Sequence, residues 1–242
     1  MTVIWPAASR GVDAMDTLKV ISFIRRRADW GLVEFSQYWR TTHKAHALKL
    51  AEAGFFQGYI QNHAVESQPD GLERIADGSP ELWIRDVADL ERLVNSPEYR
   101  EGAGPDEAVF MTPPAISCVA RERVLAGVSR GALPTGSVKL MLVVTRAPGS
   151  SRQVFQREWL AGHAPLVTQA SAPLRLTRQA VEAGPEETAF DGVECSWWPD
   201  ADTAKKAWLA RDMIAGQGRV DLRSLRGLLV REEVVVAPSD FA

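Results

Sequence analysis

The chain has 242 residues, 45% hydrophobic and 24% charged, and its 28 Lys and Arg against 31 Asp and Glu leave a net charge of −3. That length holds one large domain or two small ones, each able to bury a real core. The near balance of charge gives no electrostatic reason to expect nucleic acid or an anionic membrane as partner.

No run approaches the roughly 18 apolar residues of a membrane helix, and residues 1–16 lack the charged start and apolar stretch of a secretory signal. The two cysteines, Cys118 and Cys195, sit in apolar strand-like runs and read as buried free thiols in a reducing compartment. The expectation is a soluble cytoplasmic protein. The basic run Arg25, Arg26, Arg27 is short and reads as a solvated strand end.

After an N-terminal extension, 1–17, residues 18–24 form a β-rich run and read as a strand. Residues 33–53 place Phe35, Trp39, Ala47, Leu48 and Leu50 close to helical spacing. Residues 56–65 and 82–84 read as the second and third strands. Residues 86–95 read as a helix opened by Asp86, an acceptor for free backbone N–H groups, and 116–121 as a last strand. Residues 125–137, with Gly127, Gly131, Pro134 and Gly136 and no strong period, read as a linker. The same order then returns: strands at 138–145, 174–181, 193–198 and 228–236, a first helix around Phe155 and Trp159, and a second at 200–214 opened by Asp200.

The return is also visible residue by residue. Lys19, Arg26, Phe35, Trp39 and His43 match Lys139, Arg146, Phe155, Trp159 and His163 at one offset of 120. Two of the five matches are Trp and His, rare types for which chance is a poor explanation. Farther along, His63 faces Gln179, Asp77-Gly78 faces Asp191-Gly192, and Arg121-Glu122 faces Arg231-Glu232. The expected fold is therefore α+β: two ferredoxin-like βαββαβ repeats, 18–124 and 138–238. One face of each antiparallel sheet is covered by its helices, and the other is buried against the second sheet, which makes a barrel-like pseudo-dimer in one chain.

The segment from Phe155 through Trp159 to His163-Ala164-Pro165 resembles the EthD signature, an aromatic and Trp helix ending in His-Ala-Pro. Phe35, Tyr38, Trp39, His43 and His46 resemble the same motif, with Ala45 standing where Pro165 lies in the second copy. Tyr59 to His63 and the Asp191-Gly192 pair also look like this family, a branch of the dimeric α+β barrel superfamily. The resemblance implies a cofactor-independent barrel with hydrophobic interior pockets. Relatives include small monooxygenases, lactone isomerases, decarboxylases and dehydratases, often acting on aromatic or polyketide-like molecules, and some bind haem. Fold alone does not settle which of these applies.

The candidate chemistry rests on few residues. His43 shares a helical face with Phe35 and Trp39, and a neutral imidazole there can move a proton near neutral pH. Equally, His43 and His163 can close their helices by bonding a backbone carbonyl. His63 has no copy in the second half. On its strand, either His63 or Asn62 looks into the enclosure. His46 is a second pocket group or a surface residue. Three histidines could gather around a metal, but no carboxylate stands at ligand spacing and no Cys is near a His, so no metal is expected. Trp83 and Trp197 fall on third strands, where a ring facing the enclosure can stack on an aromatic ligand. Arg178 could meet a carboxylate or phenolate, as could Arg85.

The chain has no nucleophile elbow, Walker loop, dinucleotide fingerprint or repeated Cys pair, and no cofactor is expected. The expected activity is proton transfer on a small hydrophobic, aromatic molecule, by a lyase or isomerase. His43, His63 and His46 are the catalytic candidates. Tyr38, Trp39, Asn62, Trp83, His163, Arg178 and Trp197 are the candidates for substrate binding. A cofactor-free monooxygenase and a non-catalytic ligand-binding protein are the alternatives. A homodimer through the outer surfaces stays open.

Overall fold

The computed structural model describes residues 17–161, 172–183, 190–210 and 220–238. His163 and Pro165 therefore lie outside the described residues, as does most of the N-terminal extension. Strands β1 (Thr17–Arg26), β2 (Gly58–Ala64), β4 (Gly78–Trp83) and β5 (Met111–Gly127) come from the first half, with a two-residue strand β3 (Glu73–Arg74). The second half supplies β6 (Val138–Val144), β7 (Arg175–Ala183), β8 (Gly192–Trp198) and β9 (Arg226–Val236). Their order is β2-β4-β1-β5-β7-β8-β6-β9, and β9 returns to β2 to close an antiparallel barrel. Closure leaves these eight strands without an open edge.

Two long strands make the closure. β5 pairs with β1 from Met111 to Glu122 and with β7 from Val119 to Gly127. β9 pairs with β6 through Arg226–Val230 and with β2 through Val230–Val236. The last strand of each half thus crosses to the other half. This is why β5 spans 17 residues rather than the short run expected at 116–121, and why it takes up the first residues of the expected linker.

Alternation along the strands sorts the core. Ile21, Phe23, Ala120, Met141, Val193 and Val230 meet inside the barrel, in one cluster drawn from both halves. The outward residues pack under helices: Val20, Tyr59 and Val119 beneath the first half's helices, and Leu140, Leu142 and Leu229 beneath α5 (Arg152–Ala161) and α6 (Ala201–Leu209).

In the first half, α1 (Leu32–Tyr38) and α2 (Lys44–Glu52) are joined by a π-helical turn, Trp39–His43. The expected helix is thus continuous but locally wide, and such turns recur at functional sites. A second π turn, Tyr99–Ala103, leads into α4 (Gly104–Phe110), which no periodicity had announced. No helix among the described residues is long and apolar enough to cross a membrane.

The second helices start where their Asp residues stand. The Asp86 side chain accepts from Asp89 N at 3.0 Å to open α3 (Val87–Asn95), and Asp200 accepts from Thr203 N at 2.7 Å to open α6. Each cap satisfies a backbone donor that the helix itself leaves free. Asp86→Ala and Asp200→Ala are each expected to cost about 1 kcal/mol in urea unfolding without a change of slope. A loss below a few tenths of a kcal/mol would show that the caps are replaced by solvent.

Candidate active site

The barrel wall separates two polar assemblies. Inside, Glu81 accepts from Lys19 at 2.5 Å, from Lys139, and from Asn62 Nδ2 at 2.9 Å. Lys19 also pairs with Glu122, Lys139 with Glu232 at 3.0 Å, and Arg130 with Glu232 at 2.8 Å. Lys19, Lys139 and Arg130 thus balance Glu81, Glu122 and Glu232, all buried or nearly so. Burial alone would raise the Glu122 carboxyl, but Lys19 and Arg130 hold it down at about 2. Burial likewise opposes ionisation of Glu81, and Lys139 and Lys19 keep it well below the usual carboxylate range.

This interior differs from the hydrophobic pocket that the resemblance implied. The ring of Trp83 lies under Lys19 at 4.7 Å and Arg130 at 5.4 Å; that of Trp197 lies under Lys139 and Arg130, each at 4.9 Å. Trp197 Nε1 donates to Glu232 at 2.8 Å. The faces expected to stack on an aromatic ligand are taken by the chain's own cations. Arg130, read as part of a flexible linker, is instead a buried member of the network.

The second assembly lies outside the barrel wall, between β2, the first helix and α4. Successive strand residues point to opposite faces. Asn62 therefore enters the barrel, while Tyr59, Gln61 and His63 face the helices. His63 Nε2 lies 3.1 Å from Gln61 Oε1, which can only accept, so Nε2 carries the proton and Nδ1 accepts from Ser36 Oγ at 2.9 Å. With both ring nitrogens engaged and its ring 4.6 Å from that of Trp39, His63 braces the helix against the sheet rather than facing the enclosure. Gln61 continues the brace by donating to Trp39 O at 3.0 Å, and Trp39 Nε1 donates to Tyr59 Oη at 3.0 Å.

Strand registers also correct the sequence pairing of His63 with Gln179. Asn62 lies opposite Ser79 and Gln179 opposite Val193, each one pair from the Gly that opens the partner strand, Gly78 or Gly192, and both on the inner face. Gln179, like Asn62, serves the interior network, donating to Glu122 at 2.6 Å. Arg178 corresponds to Gln61: it donates to Trp159 O at 2.8 Å, pairs with Glu194 at 2.9 Å and stacks 4.0 Å from the Trp159 ring. Those contacts tie it to the helix–sheet brace of the second half.

Burial pushes the His63 imidazole down to about 3. The folded protein therefore resists protonating it, and its contribution to stability is complete above the ordinary value of about 6.5. It is lost as pH falls from there toward 3, at about 1.4 kcal/mol per pH unit for one proton. A His63→Gln variant is expected to show a flatter loss of stability over that window. Equal slopes for variant and parent would remove His63 from the acid response.

His43 is different. Its Nδ1 lies 2.7 Å from Asp106 Oδ2, and Tyr38 Oη donates to Asp106 Oδ1 at 2.6 Å. A carboxylate accepts only, so Nδ1 carries the proton and Nε2 is left with its lone pair. His43 stands within the helix and bonds a side-chain carboxylate. It does not end the helix on a backbone carbonyl, the second of the two roles its sequence position allowed. Burial lowers the imidazole below its usual value against the opposing pull of Asp106, so it is neutral at neutral pH. Burial and Asp106 raise the Tyr38 phenol to about 12, which keeps its proton in place. Phe110 floors the group, 4.8 Å from the His43 ring and stacked at 5.7 Å on Tyr38. His46 is half-buried one turn along, its ring 6.5 Å from that of His43.

Among the described residues no group of three or more His, Cys, Asp or Glu is placed to hold a metal. Haem does not fit the residues beside β2. The His63 nitrogens are both committed, and Phe35, Trp39, Phe110 and Tyr38 fill one another's faces at 5.6 to 5.7 Å.

Residues 27–114, which carry this whole constellation, match the EthD domain family. The match lies within the first half of the chain. The chain as a whole shares its α+β fold, an eight-stranded antiparallel barrel with helices outside it, with solved structures of low identity. A protein designated a chlorite dismutase is 9% identical, with 91% of this chain and 96% of that chain covered and a TM-score of 0.52. A variant of the chlorite dismutase of Candidatus Nitrospira defluvii in complex with cyanide is 9% identical, with 90% and 91% covered and a TM-score of 0.51. An anthrone oxidase-like protein is 14% identical, with 99% and 100% covered and a TM-score of 0.46. No curated protein sequence matches the chain. Within the matched residues, Asp106 escaped sequence reasoning because it lies 63 residues from His43. The only local signal is Gly104-Pro105-Asp106-Glu107, an acidic helix start.

Proposed function

We propose that the chain is a cofactor-independent enzyme that moves protons on a small hydrophobic, aromatic molecule. The reaction class is a lyase (dehydration, decarboxylation or carbon–carbon cleavage) or an isomerase. The observation that carries this reading is the Tyr38–Asp106–His43 constellation. Asp106 fixes the imidazole tautomer, Nε2 is the base, and the imidazolium formed on proton uptake is stabilised by the adjacent carboxylate. Tyr38 holds Asp106 in place, and His46, its ring 6.5 Å from that of His43, is assigned to orient the substrate. Asn62, Trp83 and Trp197, across the barrel wall, belong to the scaffold in this reading, as do His63, Trp39 and Arg178.

The repeated contacts also support descent from two copies of one βαββαβ unit. Lys19 opposes Trp83 as Lys139 opposes Trp197, and Arg26 pairs with Asp77 as Arg146 pairs with Asp191.

The test is solvent exchange. Phenols, aryl ketones and aromatic acids are incubated with the protein in deuterated buffer, and loss of carbon-bound hydrogen is followed by NMR. Exchange that disappears in His43→Ala supports the reading. Compounds that bind without exchange, or exchange that persists in the variant, would make this a binding protein or move the base elsewhere. Oxygen uptake in the same mixtures would point to the carbanion being trapped by oxygen instead.

A further inference from the structure

One member of the interior network comes from neither sheet half but from the segment that joins them. Lys19 stands opposite Trp83 and pairs with Glu122, and Lys139 stands opposite Trp197 and pairs with Glu232. Arg130 lies between these two sets. Its guanidinium is 4.9 Å from the Trp197 ring and 5.4 Å from the Trp83 ring. One terminal nitrogen is 2.8 Å from Glu232 and the other 3.5 Å from Glu122. Two indole faces and two carboxylates thus surround one flat cation, each a favourable partner for it.

Arg130 reaches this cage from outside the barrel. Val128, Gly131, Ala132 and residues 134–136 are exposed, whereas the Arg130 side chain is buried. Backbone bonds at Ala132 and Leu133 return to Ser129 and Arg130 within the same segment, at 3.1 and 3.2 Å. The tether leaves the guanidinium off centre. On the near side Glu232 accepts from Arg130, from Lys139 and from Trp197 Nε1 at 2.8 Å. On the far side Glu122 Oε1 and Trp83 Nε1 are buried without a hydrogen bond. The cage therefore offers its occupant more than Arg130 takes.

Charge and shape specify what else fits. Removing Arg130 leaves Glu81, Glu122 and Glu232 against Lys19 and Lys139, and an uncompensated buried charge is costly. A planar fork of N–H donors matches two carboxylates and lies flat between two indoles, which a compact ammonium does not. Arg175, 5.7 Å from the Trp197 ring, is engaged at the rim with Val128 O at 2.9 Å.

We propose that this cage is a binding site for a small planar organic cation of the guanidinium or amidinium class, and that Arg130 is its tethered occupant. A free cation is not held to one side, so it bonds Glu122 and Glu232 together while it stacks between Trp83 and Trp197. It enters as the Arg130 side chain leaves with its exposed segment. The site lies inside the barrel wall and owes nothing to His43.

Methylguanidinium titrated into the parent and into Arg130→Ala at constant ionic strength, followed by calorimetry, tests this. One-to-one saturable binding to Arg130→Ala is expected. The parent should need a concentration about tenfold higher or more, because a tethered competitor acts at an effective concentration on the order of millimolar. Methylammonium lacks the plane and urea lacks the charge, so neither should bind. Adding Glu232→Gln to Arg130→Ala should abolish the binding. No binding to Arg130→Ala, or equal binding of methylammonium, overturns the proposal, whether Arg175 has swung into the cage or its walls have closed. Should Arg130→Ala not fold alone, its refolding is followed by near-UV circular dichroism. Recovery with methylguanidinium and not with methylammonium supports the site, and recovery with both or with neither overturns it.

Discussion

Glu81→Gln is expected to destabilise the protein by about 3–5 kcal/mol, the largest single-site loss foreseen in this chain. The substitution keeps the size of the side chain and removes only the charge. What remains are Lys19 and Lys139, both fully buried, sharing Glu122 and Glu232 with Arg130 in an interior that then carries a net positive charge. For a domain of this size, a loss of that order lowers the melting temperature by roughly 6–20 °C. The effect depends on pH in a definite direction. The Glu81 carboxyl sits far below its ordinary value, so its contribution is complete above about 4.5 and is lost as acid reaches the folded-state value. Thermal melts of parent and variant should therefore differ most at neutral pH and converge in strong acid. A difference under 1 kcal/mol at pH 7 would mean that the lysines release their charge or reach water when Glu81 is neutral.

Glu81 also shows which part of the fold could be read from the sequence. Lys19 and Lys139 stood out as a matched pair, and the pairing of strands around them follows the alternation of apolar residues. The period of two in a strand is a local signal, and so is the helical stripe of Phe35 and Trp39. Asp86 and Asp200 gave the second helices their starting points because a cap acts within three residues. The carboxylates that neutralise Lys139 come from β4 and from β9, 58 and 93 residues away, and no periodicity links them. For the same reason a Gly- and Pro-bearing stretch looked like a plain linker although Arg130 dips into the barrel between Trp83 and Trp197.

The site was half legible on the same principle. His43, His46 and Tyr38 were visible because they share one short helix with its aromatic residues. His63 was visible as a rare residue, but strand alternation alone left two ways for it to point. The choice was made by tertiary contacts, Ser36 on one side of the ring and Gln61 on the other. Asp106 and Glu107 sit on a helix of seven residues with a Pro and two acids in its first turn, a pattern that by itself says only that a helix begins. The importance of Asp106 comes from α4 lying against the π turn at His43, which is a matter of packing across the domain.

Asp106→Asn is the companion experiment to the loss of His43, and it is expected to reduce kcat by about 10²–10⁴ while leaving substrate affinity nearly unchanged. The amide fills the same volume, and its oxygen can still accept from Tyr38 or from His43 Nδ1. It cannot stabilise the imidazolium by charge, and its NH₂ group can instead donate to Nδ1, which would move the ring proton to Nε2 and block the base. The pH profile separates this from simple misfolding. In the parent, activity falls on the acid side as His43 protonates, and that limb lies below the ordinary value of about 6.5 because burial lowers the imidazole. Removing the Asp106 charge removes an influence that raises it, so the acid limb of the variant should move to still lower pH even as the maximum rate drops. Tyr38→Phe, which keeps the charge and deletes only one bond to Asp106, should cost far less and leave the limb nearly in place. An Asp106→Asn enzyme with parental kcat and an unmoved limb would show that the His43–Asp106 pair is a structural tie, and the base would have to be sought at His46.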